Sequence, residues 1–116
     1  MPEVPITAAS GTQTAVINTE HQLFNSTQAG LFSFHVDVVN MAAADVLELR
    51  MYQIILTGGT TRVLELLRLF DAQPTDNLIV AFDPIGSDIT DSGAIRYSLK
   101  QTAGTGRAYP WKVLQY

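Results

Sequence analysis

The sequence predicts an all-β protein, and three observations predict it. Short runs of β-branched, aromatic and aliphatic residues recur along the 116 residues, separated by Gly, Asn, Asp, Pro and Thr punctuation. The cleanest run, 31–39, alternates: Phe32, Phe34, Val36 and Val38 fall on one face, Ser33, His35 and Asp37 on the other. No segment has the length and period of a long helix. About eight such runs suit a single antiparallel β-sandwich domain. A jelly roll is the expected form, because two packed sheets handle the strand edges.

Taken in order, residues 1–12 hold two prolines and no apolar period, so they are expected to be an extended N-terminal arm, leaving 13–116 as the β-sandwich domain. Strands are expected at 13–18, 22–27, 31–39, 46–56, 62–70, 77–83, 94–101 and 108–115, with a turn or a single helical turn at 40–45. In VLELRMYQIIL (46–56), Leu47, Leu49 and Met51 point inward while Glu48 and Arg50 point outward. RVLELLRLF (62–70) also places Val63, Leu66, Leu67 and Phe70 on one helical face. Its nine residues directly follow a Gly-Gly turn without capping residues, which favours a strand.

Two registers are open to this hairpin. A two-residue turn at Gly58-Gly59 pairs Leu49 with Arg68 and sends a guanidinium into the core. A three-residue loop, 58–60, pairs Leu49 with Leu69 and Met51 with Leu67, and stacks Arg50 on Arg68 outside. The longer loop is preferred, because an exposed like-charge pair costs less than a buried unpaired arginine. Either register leaves both faces of the tip aliphatic. The residues Tyr52, Ile54, Leu56, Val63, Leu64 and Leu66 are therefore expected to form an interface rather than part of the core.

Composition narrows the classes. Without cysteine there is neither a disulfide framework nor a thiolate metal site, which fits assembly in a reducing cytosol. MPEVPITAAS lacks the basic and apolar regions of a secretory signal, and no apolar run is long enough to span a bilayer. Net charge is −4 and unevenly spread: residues 1–49 and 71–91 carry acids and no base, whereas Arg96, Lys100, Arg107 and Lys112 follow without an acid. Those bases either solvate a C-terminal strand or form a basic edge for an acidic protein. Scattered bases on an acidic chain make a poor phosphate track, so nucleic acid is not an expected partner.

No motif points to catalysis, a cofactor or a metal. His21 and His35 lack a second histidine at ligand spacing. Asp83, Asp88 and Asp91 share the loop 83–93 but depart from the calcium-loop spacing and read as turn formers. The serines lack a nucleophile elbow, and Gly104 and Gly106 join two strands rather than opening a helix. Tyr97, Tyr109, Trp111 and Tyr116 read as core aromatics, with a sugar platform as the alternative.

Three stretches, NTEHQLF (18–24), DVLELRMYQIILTGGTTRV (45–63) and GRAYPWKVLQY (106–116), resemble small virion structural proteins of tailed bacteriophages. The resemblance runs from about residue 14 to the end and is closest in kind to capsid decoration, or cement, proteins. It implies a non-enzymatic β-sandwich on the capsid exterior, assembled in the host cytoplasm and binding the major capsid protein. The chain is expected to act as a homodimer or homotrimer. A head–tail connector or tail component is the alternative within virions, and a carbohydrate-binding sandwich is the alternative from another class.

Overall fold

Alternation becomes strand wherever one face can be buried. The computed structural model describes residues 4–116 and contains nine strands, with no helix among the described residues. They are β1 (Ile6–Thr14), β2 (Glu20–Asn25), β3 (Gly30–Asp37), β4 (Val46–Gln53), β5 (Arg62–Phe70), β6 (Ile79–Ala81), β7 (Ile85–Ser87), β8 (Ile95–Ala103) and β9 (Ala108–Gln115). One antiparallel sheet has the order β1-β9-β3-β6, with β7 also on β3; the other has the order β2-β8-β4-β5. The arrangement is compatible with a β-sandwich.

The inward residues of β3 (Phe32, Phe34, Val36), β4 (Leu47, Leu49, Met51) and β8 (Ile95, Tyr97, Leu99) are all buried in one cluster between the sheets. Phe34 stacks on Tyr97 across that gap, centroid to centroid 4.8 Å, and on Phe82 at 6.0 Å. Such pairs add to the burial of large aromatic area that holds a small β core together.

Several boundaries differ from the sequence reading. The expected arm is largely strand: Ile6–Thr14 pairs antiparallel with β9, while residues 1–3 lie outside the described residues. Edge pairing needs only backbone groups, so this strand shows no apolar period. The strand expected at 13–18 therefore ends at Thr14, and Asn18 sits in a turn with φ 63°. The strand expected at 77–83 shortens to β6, and β7 follows it along the same neighbour. Pro84 separates the two because it has no N–H for the ladder.

Both hairpin registers considered above are wrong. Leu49 lies opposite Leu67, Met51 opposite Glu65 and Glu48 opposite Arg68, with a bulge between Met51 and Tyr52. The connection runs from Ile54 to Thr61, because Ile54 leaves the ladder to bury itself against Ile89 and Ala94. Relative to the preferred register the shift is two residues from Glu65 to Phe70, so those side chains keep their faces, while beyond the bulge Val63 comes opposite Tyr52. The Arg50–Arg68 stack becomes a Glu48–Arg68 ion pair, Nη2 to Oε2 2.6 Å.

The chain crosses from β8 in one sheet to β9 in the other through residues 104–107, and this corner is tied by buried polar groups. Asp45, fully buried, accepts from the Ala42 N–H at 2.9 Å, the Thr105 N–H at 3.1 Å and Arg107 Nε at 2.9 Å. Gln101 accepts from Tyr109 Oη (2.9 Å) and the Arg107 N–H (3.1 Å). It donates to the Ala103 and Thr105 carbonyls at 2.9 and 2.7 Å. Gly104 (φ 85°) approaches Asp45 so closely that a Cβ would strike its carboxylate. Burial alone would raise the Asp45 pKa, but the donors from Ala42, Arg107 and Thr105 hold it below the ordinary carboxylate value.

Asp45→Ala strands Arg107 and two backbone donors, and should cost about 3 kcal/mol in a denaturant titration. Because the folded pKa of Asp45 is depressed, its contribution is present above the unfolded value and is lost on acidification through the folded one. Wild-type stability should fall below about pH 4, and Asp45→Asn should flatten that fall. Tyr97 Oη is buried with no hydrogen-bond partner, whereas Tyr109 Oη is satisfied. Tyr97→Phe should therefore be neutral or stabilise by about 1 kcal/mol, and Tyr109→Phe should destabilise by about the same amount. Equal losses in both would contradict the partner assignment.

Candidate interaction surface

β5 is an edge strand, so nothing packs beyond it, and its own sequence is aliphatic on both faces. Leu67 and Leu69 turn toward the core and are partly covered. Val63, Leu64, Leu66 and Phe70 remain exposed, at 53%, 46%, 42% and 58%. Ile55 and Leu56 at the tip are the most exposed of the group, each at 74%. Of the interface residues read from sequence, Leu56, Val63, Leu64 and Leu66 are thus exposed along β5 and the tip. Ile54 does not: it is buried and its N–H reaches the Ala94 carbonyl at 3.1 Å. Tyr52 is half-buried, its hydroxyl donating to Glu20. Ile55 and Phe70 are exposed as well; they were not among the expected interface residues, since their exposure depends on where the ladder ends.

The tip is held rather than loose. Gly58 takes φ 77°, its N–H donates to Asp91 Oδ2 at 2.6 Å, and the Gly59 N–H donates to the Leu56 carbonyl at 2.8 Å. Asp91 therefore works on the hairpin, while Asp83 and Asp88 stay exposed. No three acidic or histidine side chains converge as a metal site among the described residues.

Beside the apolar patch, the outer face of the β2-β8-β4-β5 sheet carries a charge network. Glu48 bridges Arg50 (2.8 Å) and Arg68, and its carboxylate is nearly buried by them. Burial would raise the Glu48 pKa, but hydrogen bonds from Arg68 and Arg50 hold it low. Glu20 accepts from Ser98 Oγ at 2.6 Å and from Tyr52, and its pKa is lowered by these donors against the opposing effect of burial. Arg50 Nη1 is buried without a partner. The bases after residue 92 do not form one basic edge: Arg96 and Lys100 lie on this face, Arg107 is in the corner, and Lys112 is on the opposite sheet.

The outer face of that opposite sheet holds a shallow groove of about 370 Å³ whose lining includes His35, Asp37, Ile79, Pro110, Lys112 and the half-buried Trp111. Ser33 Oγ lies 2.9 Å from His35 Nε2 and 3.3 Å from Tyr116 Oη. Burial and the neighbouring Lys112 lower the His35 pKa. Ser33 is buried, and Asp37 accepts the Val39 N–H at 3.0 Å rather than orienting the imidazole, so these residues do not assemble a triad. His21 Nε2 accepts the Val16 N–H at 3.1 Å, holding the turn between β1 and β2.

No family model, curated protein or solved structure matches this chain.

The acidic loop supplies a test. With Asp91 engaged at Gly58 and Asp83 and Asp88 facing solvent, calcium should leave the melting temperature unchanged. A rise of several degrees that a chelator reverses would instead reveal a site that binds only the native state.

Proposed function

We propose that the chain is a non-enzymatic virion structural protein, a capsid decoration protein that binds and stabilises the major capsid protein shell from outside. The observation that carries this reading is the uncovered apolar patch formed by the hairpin tip and β5. A large apolar patch on a small domain marks a protein contact. A protein that cements a shell draws its binding free energy from such area. The resemblance of the three sequence stretches to tailed-phage virion proteins supplies the kind of partner.

A jelly roll is part of the same proposal. The sheet orders β1-β9-β3-β6 and β2-β8-β4-β5 support it, if β6 and β7 are taken as one strand interrupted at Pro84. The carbohydrate-binding alternative loses its motive. It needs Tyr109 and Trp111 exposed side by side, but Tyr109 is fully buried and Trp111 packs against the core.

Quantitative mass spectrometry of the particles whose genome encodes the chain tests the reading. A copy number comparable to that of the capsid protein supports decoration, a much smaller one moves the chain to a connector or tail, and absence from particles ends the proposal. In the same particles, Leu56→Asp with Leu64→Asp should leave folding within about 0.5 kcal/mol of wild type, because both side chains are already solvated. It should abolish incorporation. A double mutant that unfolds would place the tip in the core, and one that incorporates normally would remove the tip from the contact.

A further inference from the structure

Five strands form the four sheet edges, and three of those edges are blunted. β2 is short, polar and irregular between Gln22 and Phe24. β6 and β7 have three residues each and are separated at Pro84. β1 is irregular between Thr7 and Ala9 and carries small, mostly polar side chains. These are the devices by which soluble proteins keep an edge from pairing with another chain. β5 is nine residues long and aliphatic, and from Glu65 to Phe70 it pairs with β4 without irregularity. Its outer edge is open.

We infer that β5 pairs antiparallel with β5 of a second copy of this chain, about a two-fold axis at Leu67, so that the four-stranded sheet continues across the dimer. A two-fold perpendicular to the sheet requires inward residues to face inward residues, which leaves few registers. Centring on Glu65 sets Glu65 against Glu65 and Arg62 against Arg68, and like charges directly opposite are unfavourable. Centring on Leu66 soon runs the pairing into the bulge at Leu64, where alternation breaks. Centring on Leu67 uses residues 64–70, reaches the bulge only at its last residue, sets no like charges opposite one another, and pairs exposed Leu64 with exposed Phe70 of the second copy. Leu66 then lies against the aliphatic stem of Arg68. The strand can thus pair with itself without like charges in contact and with its exposed apolar residues facing one another, which points to a second copy as the occupant of the edge.

This inference rests on reading β5 as an interface, but it does not need the virion, so the two fail separately. The chain has no cysteine, so introduced thiols have no background. Opposite residues on paired strands have Cα atoms about 5 Å apart, within disulfide reach, whereas residues 64 and 70 of one chain are about 20 Å apart. Leu64→Cys and Phe70→Cys change exposed side chains only. Sedimentation velocity of the wild-type chain should show a dimer. Under oxidant, a mixture of the two variants should give a covalent dimer in high yield, while each variant alone should give little. A wild-type chain that stays monomeric as concentration rises overturns the proposal. So does a dimer in which the mixture fails to cross-link, or in which either variant cross-links with itself as readily as with the other.

Discussion

The buried carboxylate of Asp45 is the constraint on which the rest of the arrangement depends. Two sheets can enclose a core only if the chain passes repeatedly from one to the other, and each passage exposes backbone groups at the rim. At the passage from β8 to β9, Asp45 and Gln101 satisfy those groups from within, using Thr105, Arg107 and the neighbouring carbonyls. The alternative, unpaired N–H groups in a dry corner, is among the costlier defects available to a small domain. Ala44, with φ 70°, is held beside Asp45 by the Asp71 carboxylate, which accepts its N–H at 2.8 Å. The segment before β4 and the segment after β5 are thereby fastened to the same corner.

The opposite end is organised by a smaller cluster with a different consequence. Ile54 leaves β4 to pack on Ile89 and Ala94, and Asp91 caps the backbone at Gly58. Burying Ile54 turns Ile55 and Leu56 outward, so part of the stability of this end comes with an exposed apolar tip. The same trade appears along β5, where Leu67 and Leu69 serve the core and Leu64, Leu66 and Phe70 face solvent. The charge network next to it, Glu48 with Arg50 and Arg68, keeps the adjoining sheet face ordered without covering it.

Much of the core was legible in the sequence because alternation is a local property. Phe32, Phe34, Val36, Leu47, Leu49 and Met51 are buried as their spacing requires, and β5 and β9 begin and end where their apolar runs do. The exposed set was legible in part: Leu56, Val63, Leu64 and Leu66 are exposed, while Ile54 and Tyr52 are withdrawn by contacts with Ala94 and Glu20, which come from distant parts of the chain. β1 escaped because an edge strand of small polar residues carries no apolar signal.

By itself, then, the sequence determined the class of the fold and which side chains face inward, since both follow from the two-residue period of a strand. The hairpin register, the strand nature of residues 6–12 and the pairing of Glu48 with Arg68 were decided only in the tertiary structure. Each is a choice among backbone pairings that leave the local alternation unchanged. Contacts far apart in the chain, such as Ile54 on Ile89 and Gly58 on Asp91, supply the free energy that selects one.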